Sequence, residues 1–444
     1  MELRVAFIPL ARVHYDMNLA EEITQGFRTR LQDCGLRLIG NSKLITDLTG
    51  AQEAISQLQE EEFDLLLIFQ ATFTDSTMIV ALAEAINRPL FIWSIPEERT
   101  GGRLRLASLC GANLAAHALT LHKRQYEYAY AKPDDHSAVE HLKSVAAAAM
   151  VYRRLQTARV GVVGDFPAGM DSCFLDAEQL SARLGLEIVP IDLQRVLERV
   201  RQLPFEITQA IYARIECRVS GMDQLDQFQT HRSLSAYHVL REIARDEKLD
   251  GMAVRCWPEF FTDLKCSACG ALSLLSDEMI PSGCEADVNG TITQLVLQWL
   301  SEAPAFGSDL VSMDYKEDSA VLWHCGQAPL SMADPSFQPR ATIHSNRKLP
   351  LLMEFPLKPG RVTLARLSRA TGELRWVVSR GEMLSAPLSF SGTSGIVRFE
   401  HPASQILDTF MKQGLEHHIS LTYGDHSPGM LALAKMQGLP VLQL

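Results

Sequence analysis

Residues 63–96, FDLLLIFQATFTDSTMIVALAEAINRPLFIWSIP, decide the fold. The run FDLLLIFQ has strand length and is apolar without alternation, so it belongs to a strand buried on both faces. DSTMIVALAEAIN follows with helical spacing, and RPLFIWSIP returns to a strand. A strand–helix–strand unit with continuously apolar strands implies a parallel sheet covered by helices on both sides.

The same alternation extends outward. LRVAFIP (3–9) reads as a first strand, and MNLAEEITQGFRTRLQDCG (17–35) as a helix stopped by Gly35. LRLIG (36–40) and TGAQEAISQLQEEE (49–62) add a strand and a helix. Residues 1–155 are therefore expected to form one doubly wound α/β domain. A helical stretch over 136–157 leads to ARVGVVGDFPAGM (158–170), a new strand with a Gly-rich turn. LGLEIVPIDL and MAVRCW continue the pattern, which sets a second α/β domain at 156–328. Beyond it the texture changes. RVTLARLSRATGELRWVVSRGEML (361–384) alternates apolar and polar residues around ATGE, a hairpin signal. The tail then reads helix, strand, helix, strand, so 329–444 is expected to be β-rich.

The chain has 444 residues, 47% hydrophobic and 21% charged, the ordinary globular mix. Its net charge of -11 argues against a nucleic-acid partner, which calls for a basic face. No stretch approaches the about 20 apolar residues of a membrane helix. MELRVAFIPLARVHYD reads as a strand, not a signal peptide. With nine scattered cysteines, a reduced, cytoplasmic protein is the expectation.

Three groups of residues invite a chemical reading. Cys256, Cys266, Cys269 and Cys284 could be drawn as a zinc set, but Cys284 lacks a nearby partner and the helical spacing after Cys269 favours core cysteines. VGDFPAGM follows a strand yet lacks the dinucleotide and P-loop fingerprints, which weakens a nucleotide-dependent oxidoreductase. The third group is IPSGCEADVNGTIT (280–293), with Glu285 and Asp287, followed by Asp314, His324 and the pair His417–His418. Carboxylates with histidines suit a divalent ion whose open positions take substrate oxygens. Asp287, just before a helical run, also reads as a helix cap.

The motifs RCW, GCEADVNGTIT, SMDY, HCGQAP, EHH and YGD, together with ARVHYDMNLAEE, resemble the L-fucose isomerase and L-arabinose isomerase superfamily. That resemblance implies two Rossmann-like α/β domains followed by a barrel-like β domain. It implies an aldose–ketose isomerase working through an enediolate, with Mn²⁺ as cofactor and Co²⁺ or Mg²⁺ as substitutes. It assigns the metal to Glu285, Asp314 and His418, with His417 as the alternative to His418, and gives Glu285 and Asp314 the acid–base role. Arg255, Trp257 and His324 are implied at the substrate. Arg12 and Asp16 would approach a neighbouring subunit's site in a trimer or hexamer. The interval from Glu285 to Asp314 is longer than the family's, and His14-Tyr15 replaces its Thr-Phe. The sugar stays open among fucose-like, arabinose-like and anionic sugars such as sulfoquinovose. The competing reading is a non-catalytic sugar-binding or regulatory protein on the same scaffold.

Overall fold

The computed structural model describes residues 2–40 and 42–444. The chain divides into two compact units, one running to Arg154 and taking in Pro428–Gly438, the other comprising Leu155–Ser427 and Leu439–Leu444.

In the first unit, β1 (Leu3–Leu10), β2 (Leu36–Ile39), β3 (Leu65–Gln70), β4 (Leu90–Ser94) and β5 (Glu127–Tyr130) form one sheet in the order β2-β1-β3-β4-β5. All four pairings are parallel. The apolar run at 63–70 explains why β3 is central. Its even positions, Leu66 and Ile68, pack with Ile8, Ile79 and Leu82 on one face. The other face carries an aromatic cluster in which Phe27 meets Phe69 at 5.1 Å and Trp93 at 4.6 Å between ring centroids. Asp16 caps the helix Met17–Asp33 by accepting the Leu19 N–H, and Asp47 caps Leu48–Gln59 through Gly50. The late helix Ser427–Gln437 adds to this unit, where Lys435 Nζ donates to the Tyr126 carbonyl at 2.8 Å.

The second unit contains a smaller parallel sheet and a barrel. β6 (Arg159–Val163), β7 (Glu187–Ile191), β8 (Gly251–Val254) and β9 (Ser282–Gly283) run in the order β7-β6-β8-β9, all parallel. The helix Val288–Ser301 then crosses to β10 (Phe306–Asp314) and β11 (Ser319–His324). After these come β12 (Arg340–Thr342), β13 (Leu352–Pro356), β14 (Gly360–Ser368), β15 (Arg375–Leu384), β16 (Thr393–Phe399), β17 (His418–Tyr423) and β18 (Val441–Gln443). The antiparallel neighbours β16-β11-β10-β17-β14-β15 close on themselves through the β15–β16 pairing, so six strands form a barrel without open edges. β12 and β13 extend it on one side and β18 on the other.

The two parallel sheets and the following antiparallel barrel agree with the fold class expected from the sequence. The hairpin β10–β11, grouped by the sequence reading with the central domain, is part of the barrel. Its alternation is hard to see because a bulge between Leu310 and Ser312 breaks the phase. Cys266 and Cys269 are buried, but only Cys269 lies in the helix, which spans Cys269–Asp277. A single apolar core runs from the small sheet into the barrel, including Val254, Leu275, Phe355, Leu364 and Val397.

Candidate active site

Glu285 sits in the short 3-10 turn Cys284–Ala286, between the end of β9 and the helix Val288–Ser301. This is the carboxyl end of a parallel sheet, where open α/β sheets place ligands. The turn is strained. Glu285 (φ 58°) and Ala286 (φ 54°) occupy the left-handed region, which costs non-glycine residues about 1–3 kcal/mol each. Surroundings hold it there. The Glu285 N–H points to Cys256 Sγ (3.4 Å), and Cys256 and Cys284 meet thiol to thiol behind the turn at 2.6 Å.

Trp257, just after β8, donates its indole N–H to Glu285 Oε1 at 3.0 Å. The other oxygen, Oε2, faces His417 Nε2 (3.3 Å) and His418 Nε2 (3.9 Å). Burial opposes ionisation of Glu285, but the hydrogen bond from His417, the charge of His418 and the Trp257 N–H outweigh it. Its pKa therefore lies below the ordinary carboxylate range.

The barrel supplies the opposing wall. Asp309 on β10 is the direct cross-strand partner of His418 on β17. Asp309 Oδ1 lies 3.5 Å from His418 Nε2 and 3.9 Å from His417 Nε2, is buried, and has no hydrogen-bond partner. His418 turns its other nitrogen, Nδ1, to Asp287 Oδ2 at 2.8 Å. Burial disfavours the His418 cation, yet Asp287 raises its pKa. Asp287 caps the helix through Gly290 N–H (2.9 Å) and forms a two-point ion pair with the buried Arg366 of β14. Although burial pushes the Asp287 carboxyl up, Arg366 and His418 bring it well below its usual range.

Two further groups complete the pocket. The 3-10 turn Asp171–Cys173, downstream of the VGDFPAGM turn, brings Cys173 Sγ to 3.8 Å from Glu285 Oε2 and Ser172 Oγ to 2.9 Å from His417 Nδ1. Burial, with the charges of Asp287 and Glu285, pushes the Cys173 thiol up, so it stays protonated. His324, at the end of β11, lies 5.8 Å from His418 between ring centroids, and burial lowers its pKa to about 4. It is a neutral imidazole at physiological pH.

The structure brings Glu285, His418, His417, Trp257 and His324 together. Asp314 is not among them. It ends β10 exposed, five residues beyond Asp309 or about 17 Å along the strand, and its Oδ1 accepts the N–H groups of Lys316 and Glu317 in the hairpin turn. The β10 acid that faces His417 and His418 is Asp309. Arg255 flanks the pocket but is clamped to Glu259, with Nε at 2.9 Å from Oε2. In the first unit, Arg12 pairs with Asp75 at 3.1 Å and Asp16 with Arg105 at 2.9 Å. Sequence reasoning missed Asp309, Arg366 and Cys173. Only Cys173 carried a signal, through the Gly-rich turn after β6.

Two donor groups fit a cation: Asp309, His417 and His418, and Cys173, Glu285 and His418. The unpartnered Asp309 Oδ1 fits such a cation, because a buried polar atom costs free energy when left alone. Asp287 on His418 Nδ1 fixes the tautomer that presents Nε2, the usual support of a metal-binding histidine.

Residues 6–156 match the N-terminal domain of fucose/sulfoquinovose isomerases, and residues 322–444 match the C-terminal domain of L-fucose isomerase. With this site, the fold defines an enzyme, an aldose–ketose sugar isomerase. Sulfoquinovose isomerase of Priestia megaterium is 32% identical over 437 residues, covering 98% of each chain. That of Alkalicoccus urumqiensis is 29% identical over 444 residues, covering 100% of this chain and 99% of its own. That of a Clostridium species is 27% identical over 440 residues, covering 98% of each chain. The chain belongs to the fucose/sulfoquinovose isomerase family. Among the described residues no helix is long and apolar enough to cross a membrane.

Proposed function

We propose that this protein converts sulfoquinovose into its 2-ketose, with Glu285 and Asp309 as acid–base groups and a divalent ion, Mn²⁺, held by Glu285, Asp309 and His418. The observation that carries this reading is that Glu285 Oε2 and Asp309 Oδ1 both approach His418 Nε2, at 3.9 and 3.5 Å, while Asp309 Oδ1 has no hydrogen-bond partner. Full-length similarity to sulfoquinovose isomerases supports the choice of sugar.

When bound, the ion would supply a Lewis acid for the substrate's O1 and O2. The remaining chemistry belongs to the chain. Glu285 is ionised at neutral pH and can take the proton from C2 of the open-chain aldose. The same carboxyl returns it to C1 of the enediolate, which completes the aldose-to-ketose transfer. Asp309 passes the hydroxyl proton from O2 to O1. Trp257 fixes Glu285 through Oε1, so that Oε2 faces the reacting carbons. Cys173 remains a neutral thiol and packs the base without competing as a nucleophile. A purely sugar-binding role would leave the buried Asp309 oxygen unexplained.

The test follows solvent deuterium. Incubated with sulfoquinovose and Mn²⁺ in D₂O, the enzyme is expected to yield ketose and to exchange the C2 proton, both seen by NMR. No exchange and no ketose would remove the proposal. We propose in addition a homo-oligomer, trimeric or hexameric. Light scattering would read its size.

A further inference from the structure

An isomerase for sulfoquinovose must recognise a sulfonate at C6, the far end of the open chain from the reacting C1 and C2. A permanent anion calls for a cation that is not already neutralised, set back from Glu285 along the pocket. Among the described residues, Arg366, Arg369, Arg255 and Arg347 touch residues in or next to the site. Arg366 is buried against Asp287, Arg369 pairs with Asp176 at 2.8 Å, and Arg255 pairs with Glu259. The fourth, Arg347, has no carboxylate within ion-pair distance among the described residues.

Arg347 lies in the loop between β12 and β13 and is solvent-exposed. Its guanidinium carbon is 5.2 Å from the centroid of the Trp257 ring and 4.8 Å from that of Phe261. Trp257 is the residue whose N–H holds Glu285, so one indole links the base to this cation. The loop is not free to drift. The N–H groups of Asn346 and Arg347 both donate to His344 Nδ1, at 3.2 and 3.3 Å, and the His344 ring is buried edge-on to Phe261 at 5.3 Å. Stacking on two rings pre-orients the planar guanidinium and leaves its N–H fork open to an oxyanion.

We propose that Arg347 is the specificity residue that binds the sulfonate of the substrate. The inference rests on the assignment of sulfoquinovose above. Its chemistry is that of a bidentate guanidinium–oxyanion pair, strengthened by the neighbouring aromatic surface. The pair forms alike in substrate and transition state, so it sets KM and leaves kcat unchanged.

The experiment compares sulfoquinovose with quinovose, the same sugar without the sulfonate, on wild type, Arg347→Met and Arg347→Lys. Quinovose is scored by turnover or as a competitive inhibitor. Arg347→Met is expected to raise KM for sulfoquinovose roughly 10- to 100-fold. Its kcat and its dealings with quinovose should stay as in wild type, and Arg347→Lys should fall between. Should the methionine variant misfold, the lysine variant carries the same comparison. An unchanged KM for sulfoquinovose overturns the proposal. So does an equal loss on both sugars, because Arg347 would then act by bracing Trp257. Wild type that turns over no sulfoquinovose overturns the substrate assignment itself, and Arg347 as sulfonate reader with it.

Discussion

At the scale of single residues, the site turns on which acid faces His418. Asp309 and Asp314 lie on the same strand and each stands beside an apolar residue, Leu310 and Met313, so composition treats them alike. What separates them is register. Asp309 is paired across the ladder with His418, whereas Asp314 has reached the hairpin turn. Strand parity could not carry the distinction from the sequence, because the bulge at Leu310–Ser312 shifts the phase between the two acids. Glu285 and His418 were named through the resemblance of their motifs to a known family, with His417 as the alternative to His418, and the fold places Glu285 beside both histidines. Substitution separates the alternatives directly. Asp309→Asn and Glu285→Gln should each lower kcat by about a hundredfold or more with the fold retained, as expected for loss of an acid–base group. Asp314→Asn should keep wild-type kcat and KM, measured in the same ketose assay with circular dichroism as the control. Near-normal turnover by Asp309→Asn would return the role to another acid.

At the scale of elements, the helix Val288–Ser301 is the part that orders the site. Its cap is Asp287, and that carboxylate serves three partners: Gly290 N–H, Arg366 and His418. The sequence showed the cap, since an acid before an apolar periodic run is a helix start signal. It could not show Arg366, which arrives from β14 by a pairing of distant segments. The close fit makes Gly290 a sensitive position. A methyl group there would collide with Asp287 Oδ2 and come within 2.8 Å of Arg366 Nη1. Gly290→Ala is therefore expected to push Asp287 away from His418 and reduce kcat, although alanine is the better helix former. Removing one partner of this buried pair goes further. Arg366→Met should destabilise the second unit by about 3–5 kcal/mol, because Asp287 would be left as a buried charge with less compensation. The ketose assay would measure the first effect, and urea unfolding followed by tryptophan fluorescence the second. Full stability in Arg366→Met would mean that His418 and the helix cap suffice for Asp287.

At the scale of the whole molecule, the donor set has a folding consequence. Glu285 belongs to the end of the small parallel sheet, while Asp309 and His418 belong to the barrel, and all three lie in the second unit. The alternating strands and helices made this layer order readable, whereas barrel closure depends on the β15–β16 pairing, which no local pattern encodes. An ion held by side chains from both layers would bind the native state and not the unfolded chain. It would then raise stability by mass action, by about 2.7 kcal/mol at a hundredfold excess over its dissociation constant. Calorimetric melting of metal-stripped protein is expected to show a higher Tm on adding Mn²⁺, growing with concentration. Asp309→Asn should abolish most of that increase and Asp314→Asn none of it, whatever sugar the enzyme takes. An equal Mn²⁺ response in wild type and Asp309→Asn would place the ion elsewhere, and Glu285, Asp309 and His418 would then be a hydrogen-bonded acid–base set alone.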